Sequence, residues 1–116
     1  MKRRSKYGAV KTVVHGIRFD SKAEAERYLV LLQDQREGRI IDLRLQVPVL
    51  LWGRDGPILT DSGKKQRTWR ADFSYVEKGP NGTSVLTYED VKGMATPEFL
   101  LKKAILNAQG VEVKIT

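Results

Sequence analysis

Cysteine is absent from this chain and histidine occurs once, at His15. Without cysteine there is neither a disulfide nor a thiolate metal site, which fits a reducing compartment. Asn81-Gly82-Thr83 then serves as a turn signal rather than as a glycan site. No apolar run reaches the roughly eighteen residues of a membrane span. The basic start, Met1 to Lys6, also lacks the apolar stretch of a secretory signal. Glycine-rich phosphate loops, Cys/His zinc patterns and Gly-x-Ser-x-Gly elbows are missing, and with them the chemistries they carry. His15 stands beside Gly16 in a tight turn, where turn geometry accounts for it, so no histidine catalysis is expected. There is no internal repeat and no low-complexity segment.

What is present is an ordinary globular composition with a marked charge. At 116 residues the chain is expected to form one domain with a single core. Apolar residues make up 41% and charged residues 30%, within the range of globular proteins. The net charge of +7 favours a polyanionic partner, since lysines and arginines that neutralise phosphates release condensed counterions. The plainer alternative is a small basic protein without a specific ligand. Charge alone does not tell DNA from RNA.

The pattern of the chain predicts an αβββαβ order. Residues 1–10 form a basic arm, expected to be mobile. Lys11 to Phe19 reads as a short hairpin about His15-Gly16. Ser21-Lys22-Ala23-Glu24 has the form of a capping box, opening a helix whose apolar stripe is Ala25, Tyr28, Leu29, Leu31 and Leu32 and which Gly38 ends. Arg39 to Trp52 is a strand, with Pro48 marking an edge or a bulge. Arg54 to Gln66 is a basic excursion. Arg67 to Val76 and Ser84 to Lys92 are two further strands, joined by the Lys78–Gly82 turn. Thr96 and Pro97 open a second helix with Leu101, Ala104, Ile105 and Ala108 as its apolar stripe. Gly110 closes it, and Val111 to Ile115 is a last strand. Three hairpin-linked strands followed by a helical crossover give an α/β (α+β) fold, a mixed four-stranded sheet flanked by two helices.

The residues that carry chemistry lie on two of these strands. Side chains alternate along a strand, so Asp90 and Lys92 point to one face, and Asp72 shares its face with Arg70 and Ser74. If the two strands pair, Asp72 and Asp90 sit side by side, an unfavourable arrangement unless a cation lies between them. Hard oxygen ligands favour Mg2+ or Mn2+ over zinc. Lys92 would orient or deprotonate an attacking water, or stabilise charge in the transition state. The competing reading of Asp90 and Lys92 is a surface ion pair. Glu24 completes the capping box, or faces the sheet in line with Tyr28 and Leu31; Glu26 ranks below it. Arg54, Lys64, Lys65, Arg67 and Arg70, with Lys102 and Lys103 on the second helix, are the candidate phosphate contacts, or else ordinary solvated side chains.

This order, with Glu24, Asp72 and Asp90-Val91-Lys92, resembles the PD-(D/E)xK nuclease superfamily and its restriction-endonuclease-like core. More narrowly, Phe19-Asp20-Ser21-Lys22-Ala23-Glu24, Arg70-Ala71-Asp72-Phe73 and Glu89-Asp90-Val91-Lys92-Gly93 look like a small family of phage and prophage nuclease-like proteins. The resemblance runs from about Gly16 to the end; Ala71 stands where the superfamily has its nominal proline. It implies that Asp72 and Asp90 bind a divalent metal, that Lys92 is catalytic and that Glu24 contributes from the first helix. The expected activity is Mg2+-dependent hydrolysis of DNA in phage recombination, repair or packaging, in the cytoplasm of a bacterial host. A junction-resolving enzyme of this kind would need a homodimer for paired cuts. The alternatives are a non-catalytic DNA-binding or structural phage protein that keeps the fold, and an RNA-processing enzyme.

Overall fold

The computed structural model describes residues 11–91 and 96–116. The basic arm at residues 1–10 and the candidate Lys92 lie outside the described residues. Two strands, β1 (Thr12–Val14) and β2 (Ile17–Phe19), form the expected hairpin. His15 and Gly16 both have positive φ, 51° and 77°, the geometry a two-residue hairpin turn demands. Helix α1 (Lys22–Arg36) starts where the Ser21 hydroxyl accepts from the Glu24 backbone N–H at 3.1 Å. It stops at Gly38, whose φ of 79° lets the Arg39 N–H return to the Asp34 carbonyl at 2.9 Å.

Strands β3 (Ile40–Leu50), β6 (Thr68–Lys78), β7 (Ser84–Asp90) and β8 (Val113–Ile115) form one mixed sheet in the order β3-β6-β7-β8. The first three are antiparallel; helix α2 (Pro97–Ala108) is the crossover that brings β8 in parallel beside β7. The fold is thus the α+β arrangement of two helices and a mixed four-stranded sheet that the sequence predicts. Pro48 lies on β3, the edge strand, where its missing N–H is harmless. The long first strand is interrupted, however. It ends at Leu50, and β4 (Trp52–Gly53) pairs with β5 (Gly56–Pro57) in a separate small hairpin that leads into the basic excursion. Leu51 turns inward at the break and is buried, which fixes the corner.

The core has two parts. Phe19, Ala25, Tyr28, Leu31, Ile40, Phe73 and Tyr75 pack between α1 and the sheet. Val49, Leu51, Trp69, Ala71 and Leu106 pack under α2. On α1 the predicted stripe needs one correction, since Leu29 is 43% exposed while Glu24 is buried in its place. On α2 the correction is larger. Phe99 and Leu106 are buried, whereas Leu101 is 64% exposed and Ala104 and Ala108 face solvent. Phe99 and Leu106, two turns apart, go inward because an aromatic ring removes much apolar area from water, and of the predicted stripe Ile105 packs partly against the same core. Lys102 and Lys103 flank the buried pair, half-buried along their stems.

Candidate active site

Register brings the candidate carboxylates together. Phe73 pairs with Glu89 across β6 and β7, so the next residues along, Asp72 and Asp90, stand opposite each other at the end of the ladder. On the other side of β6, Leu45 pairs with Phe73 and Val47 with Ala71, which sets Gln46 level with Asp72. Helix α1 supplies Glu24, buried, whose Oε1 accepts from the Gln46 Nε2 at 2.8 Å. Gln46 has a φ of 52°, a left-handed conformation unusual for a residue with a Cβ, and it holds that conformation beside the acidic cluster.

The electrostatics follow from the crowding. Burial pushes the Asp72 carboxyl up to about 8, helped by its hydrogen bond with Asp90 and by the charges of Asp90 and Glu24. The Val91 N–H donates to Asp72 Oδ2 at 2.8 Å and offsets part of this. Glu24 is raised as well, first by burial and then by Asp20, with Asp90 adding to it; Gln46 and the Asp20 backbone N–H work the other way. The capping box is therefore only half formed. Ser21 caps α1, but the Glu24 carboxylate is directed to Gln46, into the acidic cluster. The predicted alignment of Glu24 with Tyr28 and Leu31 holds, since all three are buried.

Among the described residues, no three His, Cys, Asp or Glu side chains converge closely enough to hold an ion as they stand. The Asp72–Asp90 contact, with Glu24 in electrostatic range, is a two-carboxylate site with an outer third. That set fits magnesium, which is commonly held by one or two carboxylates plus waters and substrate phosphates. Glu26 is uninvolved, pairing weakly on the surface with Lys22.

Sequence reasoning misses a further buried carboxylate, Glu89, one residue before Asp90. It is fully buried and receives Arg27 through Nε at 2.6 Å and Nη2 at 2.9 Å, the Tyr75 hydroxyl at 2.6 Å and the Thr116 hydroxyl at 3.0 Å. Burial opposes its ionisation, but these hydrogen bonds and the Arg27 charge outweigh it and hold the carboxyl below the usual range. Thr116 also donates its N–H to the Asp90 carbonyl at 3.0 Å, so the hub fixes the backbone that presents Asp90.

The predicted basic residues are not gathered at the carboxylates. Arg54, Lys64 and Lys65 are exposed on the excursion, and Arg67 there is engaged by Asp61 at 3.1 Å. Arg70 is exposed on β6 two residues before Asp72. Lys102 pairs with Glu98 at 3.3 Å, and Lys103 lies half-buried beside it. Two surface hollows, of about 630 and 410 Å3, are lined by other residues than Glu24, Asp72 and Asp90. An enclosed pocket suits a small ligand, whereas a polymer needs only an accessible edge.

The sequence model of a family described as "Protein of unknown function (DUF1064)" covers residues 4–116. The chain belongs to this family. No curated protein and no solved structure matches the DUF1064 chain. The family description assigns no chemistry, so any function has to be argued from the cluster itself.

Proposed function

We propose that this DUF1064 protein is a divalent-metal-dependent nuclease that hydrolyses DNA phosphodiesters, acting in phage or prophage recombination, repair or packaging. The observation that carries the reading is the Asp72–Asp90 contact, two carboxylates held against each other with Glu24 close enough to add its charge at Asp72. Such an arrangement costs stability at a pH where both are ionised unless a cation joins it, and the hydrogen bond that Asp72 accepts from the Val91 N–H could be made by an asparagine without that cost. Asp72 and Asp90 would hold Mg2+ or Mn2+, and Glu24, oriented by Gln46, would act from the outer position. The bound ion supplies an activated water and stabilises the leaving oxygen. Lys92, two residues beyond Asp90 in sequence, would orient that water or neutralise charge on the reacting phosphate. Arg70 and the excursion lysines Lys64 and Lys65 would hold the backbone, in keeping with the net charge of +7.

The test is cleavage of supercoiled, linear, single-stranded and four-way-junction DNA, with an RNA arm, in magnesium, manganese or EDTA. Wild type runs beside Asp90→Asn and Lys92→Ala. The expected result is metal-dependent cutting of DNA that both substitutions reduce at least about a hundredfold. An independent readout is thermal stability: magnesium should raise the melting temperature of wild type at pH 8 and leave Asp72→Asn unchanged. Salt-sensitive binding without cleavage, equal in all variants, would instead support a non-catalytic DNA-binding protein, a reading favoured by the looseness of the third carboxylate.

A further inference from the structure

Helix α2 leaves part of its apolar stripe uncovered, since Ile105 packs partly against the core while Leu101, Ala104 and Ala108 stay exposed. Leu101, Ala104, Ile105 and Ala108 share a face at helical spacing, and Leu101 is 64% exposed. The stripe does not end with the helix. Ile105 and Ala108 form one wall of a hollow of about 410 Å3 whose other wall is Trp52, Gly53, Arg54 and Ile58 of the small hairpin and the excursion. Trp52 is itself 48% exposed. The corner is rigid, because Gln109 accepts from the Trp52 N–H at 3.0 Å and donates to the Leu50 carbonyl at 2.9 Å. A continuous aliphatic and aromatic face on a fixed frame marks a protein contact.

Its charges say which protein. Glu98, on the same face as Leu101 and Ile105, is exposed at the N-terminal end of the stripe. Its only tie among the described residues is a surface pair with Lys102 at 3.3 Å, of the weak kind that a partner's arginine can replace. Arg54 stands at the opposite end, beside Ala108. A face with an acid at one end and a base at the other complements itself when turned through a two-fold axis. We infer that α2 and the Trp52 corner form an isologous homodimer interface, in which the two α2 helices run antiparallel and Glu98 of each copy meets Arg54 of the other. The axis then passes near Ala104, and Leu101 of each copy seats against Ile105 at the mouth of the opposite hollow. Arg54 is in this arrangement an interface residue rather than a phosphate contact.

The face is one helix, about 18 Å long, and one corner, modest beside the roughly 800 Å2 per partner of standard interfaces. A weak, concentration-dependent dimer is therefore the expected form. The inference stands apart from the nuclease reading, and neither needs the other to hold. Sedimentation velocity of the full chain from low micromolar to several hundred micromolar tests it. The expected result is a concentration-dependent monomer–dimer equilibrium that Leu101→Glu weakens more than about tenfold. Glu98→Arg and Arg54→Glu should each weaken it by about tenfold, since two like-charge contacts replace two attractive ones. The double variant Glu98→Arg/Arg54→Glu should return to within about twofold of wild type. A monomer at every concentration, a dimer indifferent to Leu101→Glu, or a double variant no better than the singles would each overturn the proposal.

Discussion

Glu89 and Asp90 are neighbours on β7, both are buried, and their circumstances are opposite. Glu89 faces a guanidinium and two hydroxyls and is held ionised below its usual range. Asp90 faces Asp72, whose own carboxyl is driven upward by burial and by that contact. A buried charge that is paired and fully hydrogen-bonded is compatible with a stable fold, while buried like charges are a liability. The first arrangement fixes the strand; the second costs stability and, in the reading above, serves a ligand.

The widest test of this contrast is removal of each side in turn. Glu89→Ala would leave Arg27 and the Tyr75 hydroxyl facing a void, and unfolding free energy should fall by about 3–5 kcal/mol in urea titrations. Asp72→Asn should act with the opposite sign. It keeps an acceptor for the Val91 N–H and removes the repulsion, so it should stabilise the metal-free protein by about 1–2 kcal/mol at pH 9, with most of the effect gone at pH 4. If both substitutions destabilise alike at pH 9, the two sides of β7 do not differ in the way claimed.

The pH profile sharpens the same comparison. Asp72 has a raised folded-state pKa, so its contribution is fully present below the ordinary carboxylate range near 4 and is lost as pH rises toward about 8. Glu89 has a depressed one, so its contribution is present above that range and is lost as pH falls through its lowered value. Metal-free protein should therefore be most stable on the acid side of neutrality. Thermal melts from pH 3 to pH 9 in EDTA check this, and magnesium should flatten the alkaline decline but leave the acid limb unchanged.

Much of this was legible in the sequence because it depends on periodicity. Alternation assigned Asp72 and Asp90 their strand faces, the Lys78–Gly82 turn linked the two strands, and Ser21, Pro48 and His15-Gly16 announced a cap, an edge and a turn. The hub around Glu89 was not legible, since Arg27, Tyr75 and Thr116 come from α1, β6 and the chain beyond β8, and no local pattern joins them. The face of α2 was read only in part: Ile105 packs against the core as expected, but Phe99 and Leu106 are separated by Lys102 and Lys103, so no apolar spacing announced that they go inward. Gln46 gave no signal at all, as its role rests on a backbone twist within an edge strand.

That twist supports the smallest effect. Gln46 holds a left-handed conformation that costs a residue with a Cβ about 1–2 kcal/mol, and its amide makes a hydrogen bond to Glu24 at 2.8 Å worth a similar amount. Gln46→Gly loses the bond but relieves the backbone, so the two terms should cancel to within about 1 kcal/mol. Gln46→Ala loses the bond and keeps the strain, and should be less stable than Gln46→Gly by about 1 kcal/mol. Both would release Glu24 from its position and lower cleavage together, by about tenfold. Equal stability of the two variants in urea titrations would mean that the backbone there carries no strain. Cleavage unchanged in both would mean that Glu24 needs no orienting partner, and would put Gln46 with the fold rather than with the site.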